Sequence, residues 1–314
     1  MASDGKQSAP SRPRPLLNAA IRKNSIPTLQ SALTAARAVS SPSAYSDFLD
    51  TALSTVISRG SAPLTRYLLS QGNAAVSNVS ALAAANSPSV ELFEALLENG
   101  WDVNHRDPSD TVHRARQLID YVLDNEELVR WLVDHGVRVD REVEVEEDPE
   151  GLHEWPQPIL ESCALIGSLS TLKFLLVNGA KISRRTLHRA AEAGARMGAN
   201  PATKHPETAG GGARRRQEKA QILQYLVDEL NVDVNQMDTD VLRGWMHFGT
   251  PVNYAAKEQM GAGVVNWLLA KGADPRIKSV QEDGKAMDAE DYAQSYSCEE
   301  SLEVIRRWKR DHEQ

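Results

Sequence analysis

The sequence holds little that could cross-link it or bind a metal. Cysteine occurs only at Cys163 and Cys298, too few for a disulfide framework or a zinc site, and two lone thiols suit a reducing compartment. Aromatic residues make up 5% of the chain while short runs of Ala and Leu recur, which favours closely packed helices over an aromatic-rich β-sandwich. No stretch reaches the ~18 apolar residues that span a bilayer, and Met1 to Pro15 lacks the apolar segment of a secretory signal. The expectation is a soluble intracellular chain, cytoplasmic or nuclear, without membrane insertion. Phosphate-cradling glycine motifs, a G-x-S-x-G nucleophile turn and an H-E-x-x-H helix are all missing, so neither an enzyme nor a cofactor is expected. The eight histidines show no metal-ligand spacing. With 35 basic and 43 acidic residues the net charge is -8, which speaks against a surface built for nucleic acid. The hydrophobic fraction of 41% excludes general disorder.

What is present is repetition. A helix-closing pair of apolar residues, two further residues and a glycine return as LLSQG (Leu68 to Gly72), LLENG (Leu96 to Gly100), LVDHG (Leu132 to Gly136), LLVNG (Leu175 to Gly179) and LLAKG (Leu268 to Gly272). LVDELN (Leu226 to Asn231) is a degenerate copy. Leu92, Phe93, Leu96 and Leu97 share one helical face, and the glycine stands where a left-handed C-cap is needed. About eleven residues before these pairs lie small residues, Ala84-Ala85, Cys163-Ala164 and Ala255-Ala256, which let two antiparallel helices approach. Several copies then read Asp-x-Asn or Asp-Pro: WDVN at Trp101 to Asn104, VDVN at Val232 to Asn235, ADP at Ala273 to Pro275.

These segments resemble the ankyrin repeat family. TPVNYAA (Thr250 to Ala256) is similar to the family's T-P-L-H-x-A-A, departing at Val252 and Asn253. RTLHRAAEAG (Arg185 to Gly194) keeps Leu187-His188, the double alanine and a glycine read as closing the first helix; PILESCALIG (Pro158 to Gly167) is a weaker copy. The resemblance implies an all-α solenoid of about seven stacked helix pairs over 16–314, after a proline-rich disordered tail over 1–15. It implies that His188 makes a structural hydrogen bond to a neighbouring loop. Its family period is about 33 residues, whereas the apolar pairs here start at 68, 96, 132, 175, 226 and 268. The short first step implies a truncated hairpin near Ala74 to Asn78, and the long ones imply insertions near 142–156, 195–212 and 238–249. The first insertion carries seven acidic residues between Glu142 and Glu154, the second Gly210-Gly211-Gly212, and the third Trp245 to Phe248. All are read as loops, and the first two, with the tail, as the mobile parts. The final helix, SLEVIRRWKRDHEQ, is read as a polar terminal cap.

The implied function is that of a non-enzymatic scaffold, monomeric, holding a partner protein in a concave groove and at hairpin tips. Carried over by position, the groove residues are Asn86-Ser87, Val122-Leu123, Leu165-Ile166, Glu192-Ala193 and Lys257-Glu258. The expected partner site centres on Val122, Leu123, Leu165 and Ile166, flanked by Trp101, Arg138 and Arg184, with Tyr254 as a further contact. A shifted helix register would bury the apolar pairs instead, and Trp101 either anchors a partner or covers the gap beside the truncated hairpin. The alternative function is a regulatory domain of an enzyme complex, or a nuclear cofactor acting through Arg214, Arg215, Arg216 and Lys219. Cys163 reads as an inert packed thiol.

Overall fold

A computed structural model describes residues 12–105, 116–140, 144–148, 151–155, 158–202, 211–238, 247–280 and 284–312. Among them, helices dominate, and the only strands form two short antiparallel hairpins. The helices fall into eight consecutive pairs, against the seven expected: α1 (Pro13–Lys23) with α2 (Ile26–Val39), α3 (Pro42–Ser58) with α4 (Ala62–Ser70), α5 (Ala81–Ala85) with α6 (Val90–Leu97), α7 (Leu118–Tyr121) with α8 (Glu126–Asp134), α9 (Ile159–Ile166) with α10 (Leu169–Val177), α11 (Thr186–Arg196) with α12 (Gly211–Gln224), α13 (Pro251–Ala256) with α14 (Ala262–Ala270), and α15 (Ala289–Ser295) with α16 (Glu299–His312). The chain divides into two compact units, one of 1–122 with 130–137 and the other of 123–129 with 138–314.

Serine starts many of these helices. Ser25, Ser41, Ser61, Ser80, Ser89 and Ser168 each accept a hydrogen bond from the backbone three residues on, and Pro27, Pro42 and Pro63 fill the first turns where a missing N–H costs nothing. Four helices end alike. The amides after Gly100, Gly136, Gly179 and Gly272 bond back to the carbonyls of Leu96, Leu132, Leu175 and Leu268 at 3.0–3.1 Å, with the glycine φ between 82° and 97°. A Cβ at Gly179 would meet no neighbour within 4 Å, so the left-handed backbone alone selects glycine there. Gly179→Ala should therefore cost about 1 kcal/mol, read as a fall in urea midpoint at unchanged m-value.

The two irregular copies solve the same problem with asparagine. In LLSQG the left-handed residue is Asn73 (φ 58°) and not Gly72; in LVDELN it is Asn231 (φ 52°). Each closing bond then spans six residues, Ala74 to Leu68 and Val232 to Leu226. The extra residue of LVDELN is absorbed as a π-turn over Tyr225–Glu229.

Neighbouring hairpins are tied by the Asp-x-Asn motif. In the first unit Asp102 accepts from the Asn104 amide at 2.8 Å, and the Asn104 side chain donates to the Gly136 carbonyl at 2.9 Å. In the second, Asp233 accepts from the Asn235 amide at 2.9 Å; the Asn235 side chain donates to the Gly272 carbonyl at 3.0 Å and accepts from the Asp274 amide at 2.8 Å. Each asparagine thus satisfies cap groups of the following repeat.

Three local expectations need correcting. Gly194 does not close α11, which runs on to Arg196; a Cβ there would stand 3.0 Å from Leu223 Cδ1 and 3.3 Å from Val264 Cγ2, so glycine serves close helix approach. Pro13 to Pro15, assigned to the tail, form the first turn of α1, where proline is favoured. The acidic insertion is no plain loop: β1 (Glu144–Asp148) pairs with β2 (Gly151–Trp155), Glu146 opposite His153. A second hairpin joins β3 (Ser279–Val280) to β4 (Ala286–Met287). The rest of the expected tail, 1–11, and the expected loop residues 203–210 and 239–246, Trp245 included, lie outside the described residues.

Candidate partner-binding face

In the second unit the first helices α9, α11 and α13 pack side by side, and charged residues run along them. Glu192 is the hub. Its carboxylate accepts from Arg189 at 2.8 Å, Arg196 at 2.6 Å and Lys257 at 3.0 Å. Lys257 also donates to Glu258 at 2.7 Å and lies 4.7 Å from the centre of the Phe248 ring, while Arg196 reaches Glu258 at 3.2 Å. Burial by itself would raise the Glu192 pKa; Lys257 and the bonds from Arg189 and Lys257 outweigh it and hold the carboxyl below its usual range. A second tie binds α9 to the next hairpin: Glu161 accepts from Ser183 Oγ at 2.6 Å and faces Arg185 Nε at 3.2 Å. Glu192 and Lys257, expected to face the groove, are thus buried cross-links between α11 and α13.

Lys219 also turns inward. Its Nζ donates to the carbonyls of Ala164 at 3.1 Å and Gly167 at 2.7 Å, placing a cation at the C-terminal end of α9 where the helix dipole favours one. Burial draws this ammonium down to about 8, against the pull of Cys163 and Glu218, and pushes the neighbouring Cys163 thiol up to about 12. An amine so placed is a structural cap, and the thiol stays protonated and inert at neutral pH.

Another polar cluster lies under α11 and α13. His188 Nε2 donates to the Gln236 carbonyl at 2.9 Å, and its ring meets Tyr254 edge-on at 5.2 Å. Asp238 accepts from the Tyr254 hydroxyl at 2.7 Å and the Phe248 amide at 3.0 Å, with His247 Nδ1 3.4 Å away. Asn253, standing where the resemblance would put histidine, donates to the Phe248 carbonyl at 2.8 Å.

The eight expected contact residues separate sharply. Trp101 is 4% exposed, and its Nε1 donates to the Val79 carbonyl at 3.4 Å, covering the space beside the shortened hairpin and not anchoring a partner from the surface. Val122 and Leu123 are buried: α7 is a single turn ending at Tyr121, so both lie past its C-terminus, away from any groove-facing position. Tyr254 is buried on Asp238. Arg138 and Arg184 are exposed, Leu165 is half-buried, and Ile166 is 44% exposed at the end of α9. Trp101 and Val122 belong to the first unit and the other six to the second.

Sequence reasoning missed several exposed apolar residues of the second unit, Val177, Ile182 and Val280 and two that stand at helix-pair turns. Met260 (54% exposed) sits in the turn between α13 and α14, and Tyr296 (47%) in the turn between α15 and α16. These turns adjoin, since Gln259 donates to the Tyr296 carbonyl at 2.7 Å, and Met260 lies against Gly198 of the turn after α11. Ile166 is the last residue of α9, just before the corresponding turn. The signal was a large apolar residue at a helix-pair turn, where a small or polar one suffices. Among the described residues no group of three or more His, Cys, Asp or Glu is placed to hold a metal ion, and no helix is long and apolar enough to cross a membrane. No family model matches the chain, and no curated protein matches it.

Proposed function

We propose that the chain is a helical-repeat scaffold of ankyrin type that binds a partner protein, without catalysis of its own. The observation that supports this reading most is the repeated helix pair closed by one cap geometry and tied to the next hairpin through Asn104 or Asn235. Such ties hold successive repeats rigid, and rigid presentation of surface residues is how repeat proteins bind. The face we assign to the partner is the row of turns carrying Ile166, Met260 and Tyr296, backed by the Glu192 ion network. Apolar residues exposed on a fixed frame and rimmed by charge have the make-up of an interaction patch. In the alternative acting through the Arg214 region, Lys219 is not on offer because it caps α9, while Arg214 stays exposed beside Glu218 at 3.2 Å.

The test pairs stability with capture. Ile166→Glu with Met260→Glu should leave the melting temperature within ~2 °C, since both side chains are already wet. The same double variant should lose partner capture by roughly thirty-fold or more, as truncated anchors of about 2 kcal/mol do. Unchanged stability with unchanged capture would remove this face from consideration.

A further inference from the structure

We propose that His188 is an acid-sensitive latch, holding the Asn235–Asp238 loop to α11 while its ring is neutral and releasing it when the ring takes up a proton. The geometry carries the argument. The ring is fully buried, and its Nε2 donates to the Gln236 carbonyl at 2.9 Å, a bond that joins α11 to that loop. A neutral imidazole suits the apolar edge contact with Tyr254; an imidazolium there has lost its water.

The charged groups around the ring divide. Asp238 from the loop favours the imidazolium, as do the carbonyls of Gln236, Gly249 and Arg184. Asp238 is already engaged, though, by the Tyr254 hydroxyl, the Phe248 amide and His247. From α11 and its N-cap, Arg189 and Arg185 face the Tyr254 hydroxyl. Burial outweighs the favourable partners and draws His188 down to about 4.

The sign follows from linkage. A histidine freed from this site regains its ordinary value of about 6.5 and binds a proton that the latched form refuses, so every unit of pH lost between ~6.5 and ~4 favours the open form about tenfold. The same loop joins the next repeat through Asn235 to Gly272 and Asp274, so its release would loosen one repeat junction before the unit as a whole.

Amide hydrogen exchange of the full chain at pH 7.5 and 5.5, corrected for intrinsic rates, tests this. Amides of Asn235–Asp238 should open about tenfold more often at pH 5.5, while those of α16 change far less. An imidazole titration by NMR should place His188 near 4. In His188→Gln, whose amide can still donate to Gln236, the pH dependence should vanish; should that variant not fold, the two wild-type measurements decide. A His188 titration near 6.5, equal loss of protection across the second unit, or a pH effect that persists in His188→Gln and disappears in His247→Asn would each overturn the latch.

Discussion

Glu192→Ala should destabilise the second unit by about 3–5 kcal/mol, the usual cost of removing one partner from a buried ion pair. Glu192 is 3% exposed and its carboxylate contacts Arg189, Arg196 and Lys257, the last two shared with Glu258. Without it, Arg189 and Lys257 remain buried, and Lys257 keeps Glu258 as its carboxylate partner, with the Phe248 and Tyr254 rings beside it. Glu192→Gln should recover only part of the loss, because the amide oxygen accepts hydrogen bonds but carries no charge. Chemical unfolding monitored through Trp267, a buried residue of α14, reads the effect. A loss under 1 kcal/mol would mean that the network is solvated and that these positions remain open to a partner.

In the first unit the largest expected loss is at Trp101. Trp101→Ala should cost about 3–5 kcal/mol, since the indole is buried and bonded to the Val79 carbonyl. The segment beneath it, with the short 3-10 turn Val76–Asn78, lacks a full hairpin to close over itself. Trp101→Phe should retain most of the packing and lose the Nε1 bond, costing about 1 kcal/mol. Unfolding free energies of the two variants check both values. Were Trp101 a surface anchor, both would be stable and Trp101→Ala would fail only in partner capture.

These two residues show how far the sequence reached and where it stopped. The periodic pairs at Leu96, Leu132, Leu175 and Leu268, each followed by glycine, were sufficient to place helix ends. Hydrophobic period and cap chemistry are local properties, and a helix terminus needs its left-handed residue whatever surrounds it. The serine and proline starts are local in the same way. Positional carry-over from the double alanine was weaker. It assumed a full first helix at Val122 and Leu123, but α7 makes one turn and ends at Tyr121, and both residues beyond it are buried.

Which charges are buried was decided by tertiary structure alone. Glu192 and Lys257 read as groove residues, and Lys219 as part of a basic run; the burial of Lys219 and Lys257 depends on partners 55 and 65 residues distant along the chain. A charge leaves water only where an opposite charge or a set of carbonyls meets it; Arg189 and Glu192 stand three residues apart, but Lys257 and the carbonyls that receive Lys219 come from distant segments that no short window of sequence contains. The exposure of Met260 and Tyr296 was hidden for the same reason, whereas that of Ile166 was expected. Whether an apolar side chain at a turn is covered depends on the neighbouring turns, which only the packed repeats bring together.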